Sequence, residues 1–152
     1  MKKKLVVWMM ALCLFLTGCN NAFAENEYDS DKKIAESEDR YAKEGSVFNP
    51  IEGGYSLTVS KYDGRQTLWK DTLEEAQDVE VEITFTLTGG QGKVVHIDGE
   101  DKVTTLLEGT ADTLTGEKVT KTVSMTKGQN RLKIVGYDCE DVELEVLFSV
   151  ED

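Results

Sequence analysis

From about Val47 to the C-terminus this chain is patterned with period two, which fits strands and not amphipathic helices, and the clearest run begins at Val79. Val79, Val81, Ile83, Phe85 and Leu87 alternate with Glu80, Glu82, Thr84, Thr86 and Thr88. Successive side chains of a strand point to opposite faces, so this run has one dry face and one wet face. The same period appears at Tyr55, Leu57 and Val59, at Val119, Val123 and Met125, at Leu132 and Ile134, and from Val142 through Leu144, Val146 and Phe148 to Val150. Shorter runs at Val95 and Ile97 and over residues 103–107, with a less regular one over 67–73, bring the expectation to seven or eight strands.

The breaks between these runs carry turn chemistry: Tyr62-Asp63-Gly64, Gly89-Gly90-Gln91-Gly92, Asp98-Gly99, Lys127-Gly128-Gln129-Asn130 and residues 138–141. Half-wet strands joined by short turns predict an all-β fold, an antiparallel sandwich or barrel rather than a parallel sheet buried on both faces, and the expectation adopted is a β-sandwich over residues 48–152. No proline follows Pro50 to interrupt a ladder.

The chain ahead of the strands reads differently. Residues 20–45 are polar and charged, with Phe23, Tyr28, Ile34 and Tyr41 as the sizeable apolar residues, too few to fold alone. Ser30 can cap a helix running to Lys43, with Glu36/Arg40 and Asp39/Lys43 as i,i+4 pairs and Gly45 as its stop. Its apolar stripe is narrow, so residues 19–47 are expected to be a flexible or marginally helical tether, reaching about 30 Å as a coil.

Lys2, Lys3 and Lys4 followed by an apolar run over residues 5–16 make an export signal, too short to span a bilayer. The run ends in Leu16-Thr17-Gly18-Cys19, which resembles the lipobox of bacterial lipoproteins. That resemblance implies cleavage after residue 18 and a diacylglycerol on Cys19, two acyl chains being enough for stable anchoring. It places the protein outside the cell, held to the outer face of a bacterial membrane. A second export reading rests on Ala22-Phe23-Ala24, after which an ordinary signal peptidase could release a soluble protein. The lipobox reading is preferred, because a cysteine so placed at the end of the apolar run is the rarer coincidence.

A second resemblance lies near the C-terminus. In residues 123–134 a strand ends on Met125, turns through Gly128-Gln129-Asn130 and continues as an alternating strand. This resembles a hairpin of the galactose-binding-like jelly rolls on which many carbohydrate-binding modules are built. It implies a jelly-roll-like sandwich, and it implies the fold more than the ligand.

Charge and cysteine content narrow the partners. With Lys2, Lys3 and Lys4 removed, 17 basic residues become 14 against 29 acidic ones, a net charge of −15. Such a surface repels nucleic acid and anionic lipid, leaving cations, neutral ligands such as sugars, and basic protein patches. Cys13 leaves with the signal and Cys19 is the anchor, so Cys139 has no partner for an intrachain disulfide. Its acidic neighbours Asp138, Glu140 and Asp141 disfavour the thiolate, so it is expected to be inert.

Catalytic signals are thin, and the chain is not expected to be an enzyme. His96, the one histidine, sits mid-strand with no nucleophile elbow. Glu80/Glu82 and Glu143/Glu145 share strand faces as any solvated carboxylates do, with Arg131 and Lys133 as expected cross-strand partners. A hydrolase built on such a pair is a third hypothesis. The glycine-rich stretch before Lys93 lacks Walker spacing and reads as a hairpin loop. The acidic turns Asp98/Glu100/Asp101 and Asp138/Glu140/Asp141 offer oxygens to Ca²⁺ without matching EF-hand spacing, so no cofactor is expected.

Sugar binding needs an aromatic plate with polar neighbours. Trp69 stands beside Lys70 and Asp71, while Tyr62 and Tyr137 sit at expected turns. These three are the candidate ligand contacts, with core burial the alternative for Trp69, as it is for Tyr55. The threonine-rich loop over residues 109–117 is long for a sandwich and is a candidate to shape a site. The leading expectation is a surface-tethered, non-enzymatic binding module for carbohydrate; the alternative is a structural or protein-interaction lipoprotein of the envelope.

Overall fold

A computed structural model describes residues 26–150, so the export signal, the A-x-A site and the Cys19 anchor lie outside the described residues. Among the described residues seven strands follow the short helix α1 (Asp31–Ile34): β1 (Arg40–Ile51), β2 (Gly54–Leu73), β3 (Gln77–Thr86), β4 (Gly89–Ile97), β5 (Val103–Thr110), β6 (Val119–Met125) and β7 (Gly128–Val150). Every strand pair is antiparallel.

Two long strands organise the sandwich. β2 and β7 pair along their full length, Gly54 opposite Leu147 at one end and Leu73 opposite Gly128 at the other. The far half of β7 also pairs β3, which pairs β6; the near half pairs β4, which pairs β5. Trp69 lies fifteen residues along β2 from Gly54, about 50 Å in a straight strand. Its ring centroid is nevertheless 5.3 Å from that of Phe148. The β2/β7 ribbon therefore folds back on itself, and its two halves become the facing layers of an antiparallel β-sandwich of jelly-roll-like form.

The bend explains why two expected turns are absent. Residues 62–64 and 138–141 lie inside β2 and β7, where the register shifts between Tyr62 and Gly64 and where Asp138 and Asp141 take φ of 51° and 46°. Short polar side chains tolerate that left-handed conformation, so turn chemistry here bends a strand instead of ending it. The same correction applies to Gly89-Gly90-Gln91-Gly92, which lies within β4 and leaves Leu87 and Thr88 as the connection.

Gly64 has φ +111°, and a Cβ there would meet Arg40 O at 2.2 Å. Gly136 is needed for a different reason: its Cβ would lie 2.6 Å from the Tyr62 ring and 2.8 Å from Cys139 Sγ. Gly136→Ala is accordingly expected to destabilise by about 1–3 kcal/mol, seen as a lower urea midpoint at unchanged m-value.

Between the layers the alternation is realised as expected. Val79, Val81, Ile83 and Phe85 of β3 meet Val142, Leu144 and Val146 of β7, with Val94, Leu132 and Ile134 from the opposite layer. A second cluster lies on the outer side of the β4 layer, where Val95, Ile97 and Val135 are covered by Tyr28 and Ile34. Against the expectation of a flexible or marginally helical tether over residues 19–47, the described part of that stretch, from residue 26, packs on the sandwich and enters its sheet. Ser30 does cap α1 by accepting from Lys33 N, but the helix ends at Ile34 and β1 begins at Arg40, eight residues ahead of the expected domain start.

What holds this N-terminal strap is charge as much as apolar contact. Lys93, Arg65, Lys133 and Arg131 form a buried cationic stripe across β4, β2 and β7. Arg65 donates to Glu27 Oε2 and, at 2.6 Å, to Glu36 Oε2. Arg131 donates to Glu36 O at 3.1 Å, Ala35 O at 2.9 Å and Asp101 Oδ1 at 2.8 Å. Lys133 Nζ donates to Glu36 O at 2.6 Å and stands 3.7 Å from Asp39, while Lys93 lies over the Tyr28 ring. Arg131 and Lys133 are thus not the solvent-face partners expected for the β3 and β7 glutamates, of which Glu82 pairs with Lys118 at 2.9 Å.

Candidate functional site

The bend brings four aromatic residues of three strands together. Phe48 of β1 stacks on Tyr55 of β2 at 5.6 Å, Tyr55 meets Phe148 of β7 edge-on at 6.4 Å, and Phe148 tilts against Trp69. Trp69 is half-buried: one side packs on the core, and the ring also lines an open depression of about 550 Å³. The ring is thus partly core and partly open to that depression. Around the ring stand Asp39, Thr67, Lys70 and Gln129. Thr67 Oγ1 donates to Asp39 Oδ1 at 2.7 Å, which fixes the carboxylate beside the ring.

The register shift between Thr67 and Trp69 lets Leu68 turn into the core while Trp69 stays on the rim. The turn before β7 is held by Asn130, whose Nδ2 donates to Thr126 O at 2.6 Å and Gly128 O at 3.1 Å. Its Oδ1 accepts from Thr126 N at 3.2 Å and from His96 Nε2 at 3.0 Å. That is the physical role of the asparagine in the Gly-x-Asn turn: it pins the loop that presents Gln129. His96 is spent in the same contact, and burial holds its pKa below the ordinary histidine value.

A second depression of about 530 Å³ adjoins the first, lined by Asp31, Lys32, Ala35, Glu36 and Asp101. Ser37, Gln129 and Arg131 line both. Sequence reasoning missed Phe148 as a neighbour of Trp69, missed Phe48 beside Tyr55, and missed the whole contribution of the strap.

The other candidates stand elsewhere. Tyr62 is fully buried, stacks on Tyr41 and donates its hydroxyl to Ile134 O at 3.3 Å, so it presents no face to a ligand. The expected turn that would have exposed it is a bend whose tyrosine points inward. Tyr137 packs half-buried against the second apolar cluster and lines neither depression. Cys139 is buried within β7, donates to Gln91 O at 3.0 Å, and burial pushes its pKa up to about 12.

The loop over residues 109–117 packs down instead of opening: Leu114 is buried and Gly116 N donates to Phe85 O at 3.2 Å. Among the acidic turns, Asp98 Oδ1 accepts from Glu100 N and Lys102 N, and Asp141 Oδ2 accepts from Thr88 Oγ1. Among the described residues no group of three or more His, Cys, Asp or Glu is placed to hold a metal ion. Glu143 and Glu145 line a shallow depression of about 370 Å³ between Ser56, Thr58, Thr84 and Thr86, with no aromatic ring beside it.

Solved structures similar to this chain include a carbohydrate-binding module (CBM6) from Cellvibrio mixtus lichenase 5A in complex with cellotriose. It is 13% identical, with 73% of this chain and 91% of that chain covered and a TM-score of 0.43. CBM35 from Paenibacillus barcinonensis is 14% identical over 76% of this chain and 100% of that chain, TM-score 0.42. The C-terminal CBM6 of a marine laminarinase from Zobellia galactanivorans is 11% identical over 72% and 99%, TM-score 0.38. No family model matches the chain, and no curated protein matches its sequence.

Proposed function

We infer that this chain is a non-enzymatic carbohydrate-binding module, exported and held to the outer face of a membrane through Cys19. The observation that carries the ligand class is the Trp69 depression. A flat ring beside a hydroxyl, a carboxylate, an ammonium and an amide is what a pyranose requires, an apolar CH face to stack and hydroxyls to satisfy. The acidic surface favours a neutral ligand over a polyanion. The anchor rests on the lipobox, and seven residues separate Cys19 from Glu27, the first buried residue of the strap. Fully extended, that link reaches about 28 Å, so an anchored domain works close to its membrane.

Trp69→Ala is expected to weaken binding of the preferred glycan by at least about tenfold, measured by calorimetry on the full chain. An unchanged affinity would remove the carbohydrate reading from this site. A protein-interaction role is the second reading, favoured by β1: among the described residues it pairs β2 alone, with Tyr41, Val47, Phe48 and Ile51 exposed along it. Exposed edges of this kind accept a partner's strand.

A further inference from the structure

We propose that residues 31–37 of the strap form a second sugar subsite, so that the site takes a chain of at least two linked sugars instead of a single ring. This rests on the carbohydrate reading of the Trp69 depression. Each depression, at about 550 and 530 Å³, has the size of a small-molecule site in its own right. One ring stacked on Trp69 occupies only the first and leaves the second empty.

The second has no aromatic lining, only polar and charged groups and Ala35. It suits a sugar held by its hydroxyls after the neighbouring unit has been fixed by stacking. Lys32 and Asp31 are exposed there, and neither side chain makes a hydrogen bond or ion pair among the described residues. Gln129, also exposed, lines both depressions and offers a donor and an acceptor where the linkage between two units would lie. Beneath it Arg131 is immobilised by its bonds to Ala35 O, Glu36 O and Asp101, so the floor of the junction is set before any ligand arrives.

The test is a length series, cello-, laminari-, xylo- and manno-oligosaccharides of one to six units, titrated against the full chain and followed by calorimetry and amide chemical shifts. In whichever series binds, affinity is expected to rise about tenfold or more between one unit and three. Lys32→Ala should lower trisaccharide affinity about five- to tenfold and leave the monosaccharide unchanged, whereas Trp69→Ala should weaken both. Trisaccharide should also slow hydrogen exchange at the Ile34 and Ala35 amides, which donate to Ser30 O and Asp31 O. Binding independent of length, or equal loss of monosaccharide and trisaccharide in Lys32→Ala at unchanged melting temperature, would overturn the second subsite while sparing the first. No binding in any series would overturn the carbohydrate reading and this subsite together.

Discussion

A protein begun at Gly45 is expected to lose its cooperative melt, while one begun at residue 26 keeps it. The shorter chain retains every run of period-two alternation, yet it lacks the strap and the first half of β1. Without the strap Tyr28 and Ile34 are gone, and Val95, Ile97 and Val135 face water. Each buried side chain of this size contributes about 1.5–3 kcal/mol. The ladder of Arg40 through Glu44 against β2 disappears as well. Together these losses reach the order of the 5–15 kcal/mol that a whole domain possesses. Arg65, Arg131 and Lys133 add less than their number suggests, because removing the strap returns them to water instead of leaving them buried and unpaired. Circular dichroism melts and amide shift dispersion of the two proteins decide the matter. Equal melting temperatures would show that the strap is an ornament of the sandwich and not a part of it.

The strap was illegible in the sequence for a physical reason. Hydrophobic periodicity finds elements that dock by an apolar face, and residues 26–39 dock through Glu27, Glu36 and backbone carbonyls that accept from cations on other strands. Only Tyr28 and Ile34 signal burial, and two apolar residues do not make a stripe. The sandwich strands show the opposite case. Alternation in β3 and in the far half of β7 translates directly into the core because each strand has one dry face. The error made there was one of continuity. Asp-Gly and acidic clusters read as turns, whereas residues 62–64 and 138–141 use the same left-handed tolerance to bend strands that continue.

The site divides in the same way. Trp69 could be named from residue type and polar neighbours, but Tyr62 could not be separated from it, since both are aromatics near turn-like sequence. Register decides between them. A one-residue shift between Thr67 and Trp69 puts Leu68 inward and Trp69 on the rim, and Tyr62, beside the other bend, points into the core. Ser37, Asp39 and Gln129 lie about 30 to 60 residues from Trp69 in sequence and meet it only because β2 and β7 fold back together.

Lys133→Met is expected to stabilise the protein by about 1–3 kcal/mol at pH 7, and that gain should shrink as the pH rises from about 8 to 10.5. Lys133 is fully buried, and burial pulls its pKa down to about 8, with Asp39 opposing the shift and Arg131 and Arg65 adding to it. Below pH 8 the ammonium is charged in both folded and unfolded chains, and the folded state bears the full cost of burying it. Between 8 and 10.5 the folded chain releases the proton while the unfolded chain keeps it, so stability contributed by this group rises with pH, by up to about 3 kcal/mol. Methionine fills a similar volume without the charge. Neither partner is stranded, because Glu36 O still accepts from Arg131 and Asp39 from Thr67. The absolute profile of either protein also contains opposing groups: burial raises the pKa of Cys139 to about 12 and lifts Tyr28 and Tyr62 as well, so each of them destabilises the fold once its unfolded counterpart ionises. Those groups are common to both proteins and cancel in the difference. Urea unfolding of variant and parent at intervals from pH 7 to 10.5 isolates Lys133, and a difference that stays constant across that window would mean that the buried lysine keeps its charge at an ordinary pKa.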